Sequence, residues 1–220
     1  MAIKRYLADP ALYGSVQVIA IIDGQRPAVR LAETPFHVQG GGQKADRGTI
    51  GGVDVTDVRQ SSDGGIDHLV TDTSGLEVGR TYSFAVDPEW RNLNANYHSA
   101  GHLLAAVCES RFPGIFAAAG HQFPGEARVD FCVEAAQPST VDDLMGASNA
   151  IEAAVCAEIA KALPIAIVGD PFVDRSCQVG DFPVIACGGT HAISTADIGK
   201  FSIRSIKRKG PLIRVGYELI

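Results

Sequence analysis

The chain has 220 residues, 46% of them hydrophobic and 20% charged, a balance that excludes an intrinsically disordered protein. Lys and Arg number 19 against 25 Asp and Glu, for a net charge of −6, so any nucleic-acid binding has to come from a local patch. No run of about 18 apolar residues occurs, which excludes a membrane-spanning helix, and Lys4, Arg5 and Asp9 near the start argue against a secretory leader.

Short alternating segments open the chain. Val16, Val18, Ala20 and Ile22 share one face of a predicted strand over 15–22, and Val29 and Leu31 continue beyond a turn at Gln25 to Pro27. Further period-two segments lie at Val53 and Val55, at Ile66 and Val70, and at Tyr82, Phe84 and Val86. Asp63-Gly64-Gly65, Ser74-Gly75 and Gly79 separate them. Short strands with glycine-rich turns predict a small antiparallel barrel or sandwich. After Asp87-Pro88 the period changes. A helix is expected from about Asn94 to Arg111, capped by Asn94 or Asn96, with Leu103, Leu104 and Val107 on its apolar face. Pro113-Gly114 ends it. Val129, Phe131 and Val133 predict a strand. A second helix is expected from Thr140, its cap, to Leu163, with Leu144, Ser148, Ile151, Val155 and Ile159 on one face and Pro164 as the stop. Strands and loops fill the remainder. The predicted class is α+β: a small β-barrel over 1–88, then an α+β domain over 89–220. Cys108, Cys132, Cys156, Cys177 and Cys187 are odd in number and scattered, which argues against a disulfide framework and for a cytoplasmic protein. The first four sit among apolar neighbours and are expected to be buried thiols.

Four clusters carry chemistry. In Tyr97-His98-Ser99-Ala100-Gly101-His102 the histidines are four apart on the predicted helix, which stacks both imidazoles on one face. That spacing suits one metal ion, and it also occurs in incidental surface pairs. In Cys187-Gly188-Gly189-Thr190-His191 the glycines permit dihedrals that turn a thiol and an imidazole to one point; the alternative is a plain turn with a buried cysteine. Together the two clusters supply three His and one Cys, a complete set for tetrahedral zinc. Gly40-Gly41-Gly42-Gln43-Lys44-Ala45-Asp46-Arg47-Gly48 lacks the spacing of a P-loop. It reads as a hairpin, or as a loop whose backbone approaches a ligand while Gln43 supplies a hydrogen bond. Residues 196–220 hold Lys200, Arg204, Lys207, Arg208, Lys209 and Arg214 against Asp197 and Glu218, either a solvated strand end or a phosphate-facing patch.

These motifs, in this order and at this separation, resemble the freestanding alanyl-tRNA editing proteins of the AlaX group, which are similar to the editing domain shared by alanyl- and threonyl-tRNA synthetases. His98-x-x-x-His102 and Cys187-x-x-x-His191 match that family's paired zinc motifs. Gly40-Gly41-Gly42-Gln43, with Asp46 and Gly48, matches the glycine-rich motif of its longer members. Arg128-Val129-Asp130-Phe131 and the basic strand from Ile203 to Lys209 fit as well, so the resemblance covers nearly the whole chain. It implies an aminoacyl-tRNA editing domain and a Zn2+-dependent hydrolase acting in trans. The ester to be cleaved would join tRNA for alanine, tRNA(Ala), to a wrong amino acid: serine, or in some members glycine. His98, His102, Cys187 and His191 would bind the zinc. Gln43 and Thr190 are candidates for hydrogen-bonding substrate or water, and His191 is a candidate base. Gly41, Gly42, Gln43, Gly101, Gly188 and Gly189 would line the substrate. Arg204, Lys207, Arg208 and Lys209 are candidate tRNA phosphate contacts. No ATP site or aminoacylating core is legible, and no membrane partner is expected; the protein would be a monomer or homodimer. The chain departs from the family pattern at Gly101, where many relatives carry Thr or another residue with a side chain, at Lys44, where Pro is common, and at Gln39, where Glu is common; these positions line or adjoin the pocket and bear on which amino acid is removed. A hydrophobic site cannot strongly reject an isostere that adds only a hydroxyl, so a second, hydrolytic site is the usual remedy.

Lesser candidates complete the reading. His121 is expected in a loop, with contact to substrate the less favoured reading, His37 beside the glycine motif and the cleft, and His68 on a strand surface. Tyr97 either stacks on the terminal adenine or lies in the core, and Trp90 packs at the domain junction. Two other classes fit the same residues: a non-catalytic, zinc-stabilised tRNA-binding module, and a zinc hydrolase of a small ester or amide.

Overall fold

A computed structural model describes residues 2–134 and 139–220. They form two compact units. One comprises the chain up to Gly40 with Lys44–Asn92; the other comprises Gly41–Gln43 with Leu93–Ile220.

The first unit holds β1 (Ile3–Lys4), β2 (Tyr13–Ile22), β3 (Ala28–Leu31), β4 (Glu33–Thr34), β5 (Gly48–Ile50), β6 (Val53–Gln60), β7 (Ile66–Val70) and β8 (Thr81–Val86). Six of them close into a barrel in the order β2-β3-β7-β6-β5-β8, as the alternation predicts. Closure removes the exposed edges of a sheet. Val18, Val29, Leu31, Phe36, Ile50, Val58 and Ile66 fill the interior, each at most 1% exposed. Strand β5 is too short and glycine-rich to show alternation in sequence. It runs between β6 and β8 with Gly48 opposite Val55 and Val86. A Cβ on Gly48 would lie 2.0 Å from the Ala85 carbonyl oxygen, so only glycine fits there.

His68 is not a surface residue. It is fully buried on β7, with Nδ1–H donating to the Val29 carbonyl at 3.1 Å and Nε2 accepting the Thr34 hydroxyl at 2.7 Å. His37 is also buried, its ring 5.2 Å from that of Tyr6 and its Nδ1 3.0 Å from the Lys44 carbonyl oxygen. Burial holds both imidazoles down at about 4, against an ordinary 6.5. Each therefore gains a proton on unfolding between these values, so its contribution to stability is complete above pH 6.5 and is lost as pH falls towards 4. The denaturant midpoint is expected to be lower at about pH 4.5 than at about pH 7, with a smaller difference in His68→Gln. A midpoint equal at the two pH values would remove this account.

Helix α1 (Pro88–Arg111) begins six residues before the predicted Asn94. The Asp87 carboxylate accepts from the Glu89 and Trp90 N–H groups at 3.0 Å each, and proline suits the first helical position. Asn94 and Asn96 are thus interior to the helix. Trp90 lies in the first unit, donates from Nε1 to the Ala45 carbonyl at 2.8 Å, and carries the Arg47 guanidinium 3.6 Å above its ring.

The second unit continues with β9 (Ile115–His121), β10 (Arg128–Val133), α2 (Ser139–Gly146), α3 (Ser148–Ala160), β11 (Ile165–Val168), β12 (Ser176–Val179), β13 (Ile185–Ala186), β14 (Phe201–Lys209) and β15 (Leu212–Leu219). The second predicted helix is two, broken at Ala147, where Gly146 favours an end. It also stops at Ala160, because Ala162 turns left-handed at φ 52°. The side chain of Thr140, its predicted cap, lies outside the described residues. One sheet has the order β14-β15-β10-β9 and a smaller one β11-β12-β13. Leu103, Leu104, Phe131, Leu144, Ile151 and Ile213 form the core beneath them. Strand β9 escapes sequence reading because its alanines and glycine carry no alternation; His121 ends this strand, opposite Arg128, rather than lying in a loop. Cys108 and Cys177 are buried, and burial pushes both thiols up to about 12. Cys156 is exposed and Cys132 half-buried, contrary to expectation, since α3 and β10 turn them from the core. No helix among the described residues is long and apolar enough to cross a membrane.

Candidate metal centre

Helical geometry builds half of the site. His98 and His102 lie one turn apart on α1, their rings stacked 5.0 Å apart at 10°. The loop after β13 brings the other half. Cys187 Sγ lies 3.2 Å from His98 Nε2, 3.3 Å from His102 Nε2 and 3.3 Å from His191 Nε2. The four donor atoms are all within 4.8 Å of one another. Residues 85 or more apart in sequence thus converge on one point that can hold a metal ion.

Two of the imidazoles, His98 and His191, have a neighbour at Nδ1 that leaves Nε2 to face the cluster. Thr190 N–H donates to Gln43 Oε1 at 2.9 Å, which fixes the amide, and Gln43 Nε2 donates to Thr190 Oγ1 at 2.7 Å. Gln43 Oε1 is therefore an acceptor towards His98 Nδ1, 2.8 Å away. That nitrogen carries the hydrogen, and the Nε2 lone pair faces Cys187. His191 Nδ1 lies 3.4 Å from Ser99 Oγ, which also accepts the Ala192 N–H at 3.0 Å. Burial holds the His102 imidazole down at about 4, so it is neutral and free to ligate near neutral pH. Burial pushes the Cys187 thiol up, opposed by the Gly189 N–H at 3.3 Å and the Arg175 charge. Arg175 also donates to the Cys187 carbonyl at 2.5 Å, which ties down the loop.

The glycines serve space as much as backbone freedom. Gly188 and Gly189 do not have positive φ, contrary to the expectation from sequence. A Cβ on Gly189 would lie 2.2 Å from His98 Cε1, so its absence lets the loop approach the helix. Gly41 and Gly42 do take left-handed φ, +55° and +79°. A Cβ on Gly42 would meet the Gly120 carbonyl oxygen at 2.5 Å.

Beside the cluster opens a cavity of about 320 Å³, whose lining includes Gly41, His98, Gly101, His102, Cys187 and Gly188, several alanines, Gly120 and Gln122, and the larger Val129 and Ile185. Gln43 and Thr190 are buried behind it, holding His98. The fold brings the other named residues elsewhere. Tyr97 is core, its ring stacked 6.1 Å from that of Tyr217. His37 belongs to the barrel unit. Arg204 gives its guanidinium to the carbonyls of Tyr217, Gly125 and Ala127. Lys207, Arg208 and Lys209 are exposed at the end of β14. Ser99, Arg175 and Gln122 went unread; only Ser99, adjacent to His98, carried a local signal.

Gln43→Ala is expected to leave the fold intact and weaken metal retention about 10–100-fold, the usual effect of removing a group that orients a ligand. Competition with a chelator measures it, and unchanged retention would assign Gln43 no such role.

Three imidazoles and a thiol that could hold a metal ion, beside a cavity, are the arrangement that the sequence motifs predict. Residues 175–214 match the model of the threonyl and alanyl tRNA synthetase second additional domain. The chain is 32% identical over 220 residues to an alanine–tRNA ligase of Streptococcus mutans, covering 88% of this chain and 24% of the relative. It is 33% identical over 230 residues to that of Streptococcus thermophilus, 93% and 25% covered, and 34% over 206 residues to that of Mycobacterium bovis, 82% and 23% covered. The chain spans about a quarter of the length of the curated relatives it matches. These comparisons support the resemblance drawn from the motifs, an AlaX-like domain similar to one segment of alanine–tRNA ligases.

Proposed function

We propose that this chain is an aminoacyl-tRNA deacylase acting in trans, which hydrolyses the ester between tRNA(Ala) and a wrong amino acid, serine foremost and glycine after it. The observation that carries the reading is the convergence of His98, His102, Cys187 and His191 at the side of a cavity walled mostly by alanine and glycine. Zinc fits this set. Tetrahedral bonds of about 2.3 Å to sulfur and 2.0–2.1 Å to nitrogen separate the two donors by about 3.5 Å, and the distances here are 3.2–3.3 Å. The thiol and imidazole donors suit that ion. Zinc held by His98, His102, Cys187 and His191 would supply a Lewis acid. The chain's own part is positioning. An aminoacyl ester is already reactive, so a held geometry does more than a strong base. Gln43 and Thr190 fix His98, Ser99 and Arg175 fix the facing loop, and the small walls admit a small aminoacyl group. Lys207, Arg208 and Lys209 would meet phosphates of the single-stranded acceptor end, while Arg204 is committed to backbone carbonyls. On this reading residues 89–220 are the editing domain, and 1–88 carry the glycine-rich motif.

The test is release of amino acid from tRNA(Ala) charged with serine, glycine or alanine. Serine is expected to be released, with release stopping on chelation. Tight tRNA binding without release from any charged form would point to a zinc-stabilised binding module instead. Hydrolysis of small esters with no gain from tRNA would point to a small-molecule hydrolase.

A further inference from the structure

Nine of the fifteen described residues that line the cavity are alanine or glycine, and Val129 and Ile185 add apolar surface. Among the described residues that line it, one polar side chain stands apart from His98, His102 and Cys187: Gln122. It is 6% exposed. Its backbone N–H donates to the Gly42 carbonyl at 2.7 Å, which fixes where its side chain starts. One end of its carboxamide lies 3.2 Å from the Tyr217 hydroxyl, whose own hydrogen goes to the Tyr97 carbonyl at 2.6 Å. The other end, Nε2, has no hydrogen-bond partner among the described residues and lies against two glycines. A Cβ on Gly101 would lie 2.6 Å from Nε2, and one on Gly120 would lie 2.3 Å from it. The carboxamide thus fills the room that a side chain at either position would need. A side chain at either position would have to displace the carboxamide.

The Nε2 end is open to the cavity, so a ligand there can pair with it in place of water. We propose that Gln122 is the specificity-determining residue of this cavity, hydrogen-bonding a hydroxyl on the side chain of the aminoacyl group. This rests on the deacylase reading above and deepens it. A carboxamide presents either a donor or an acceptor, and a hydroxyl is both, so the pair forms whichever end turns inward. A methyl group pairs with neither. A seryl ester is therefore held, while an alanyl ester leaves the amide unpaired and is spared.

The experiment compares the wild type with Gln122→Met, which keeps length and bulk without the hydrogen bond. It measures kcat/KM on tRNA(Ala) charged with serine and with glycine. The seryl value is expected to fall about tenfold, the loss of one hydrogen bond to a buried group. The glycyl value, with no side chain to read, is expected to stay within about twofold of the wild type. Gly101→Ala, which displaces the amide without changing its chemistry, is expected to lower the seryl-to-glycyl ratio in the same direction. That ratio does not depend on how much of a variant is folded. An unchanged ratio in both variants overturns the role of Gln122 and leaves the deacylase reading standing. Wild-type protein that releases neither amino acid overturns both.

Discussion

If the chain is the proposed metal-dependent deacylase, Cys187→Ala is expected to abolish metal binding and deacylation together. The sulfur is the shared neighbour of the three imidazoles, 3.2–3.3 Å from each Nε2. It is also the one donor of the four that becomes an anion when it ligates. Without it a dication would face three neutral rings and the Arg175 charge, which already acts on this sulfur. Burial raises the thiol, so the sulfur is deprotonated mainly by the ion it binds. Metal content after dialysis against a chelator is expected to fall from one ion per chain to below about a tenth, and kcat/KM on Ser-tRNA(Ala) by at least about a hundredfold. The circular dichroism of the barrel should not change, because Cys187 lies in the other unit. Full retention of metal and activity in this variant would disprove the four-donor centre.

What sequence reveals of this centre, and what it hides, follows from how far each contact reaches. The His98 and His102 pair is legible because helical period is local. The barrel is legible because Val16, Val18, Val29 and Leu31 alternate. Asp87-Pro88 also carried a local start signal, but the asparagines at 94 and 96 competed with it as caps. The role of Gln43 is different in kind. Its partners His98 and Thr190 are 55 and 147 residues away, and no local pattern encodes that a carboxamide will choose the tautomer of a distant ring. Gln122 is hidden for a further reason: its setting is made by what Gly101 and Gly120 lack. Strand β9 is hidden because alanine and glycine give neither face a hydrophobic mark. Gly189 was legible as a glycine for the wrong reason, since the need is for space beside His98 and not for an unusual dihedral.

Asp46→Ala is expected to destabilise the barrel unit by about 3–5 kcal/mol, the range for breaking a buried ion pair. In sequence Asp46 belongs with the glycine-rich motif, and its position suggests a part in the chemistry. Its surroundings give it another task. The side chain is 1% exposed and that of Arg91, its partner on α1, is 7% exposed. Arg91 Nε donates to both carboxylate oxygens at 2.9 Å, and Nη2 donates to Oδ2 and to the Pro35 carbonyl, the latter at 3.0 Å. The His37 N–H donates to Asp46 Oδ2 at 2.5 Å. Alanine would leave a guanidinium and a backbone N–H buried with their acceptor gone. The penalty comes from the stranded charge, and that is separable from the worth of the pair. Removing both partners in Asp46→Leu with Arg91→Met is therefore expected to cost less than Asp46→Ala alone, read from denaturant midpoints in a double-mutant cycle. If the double replacement is as damaging as the sum of its parts, the pair is not coupled. Asp46 would then hold this segment through the His37 N–H alone.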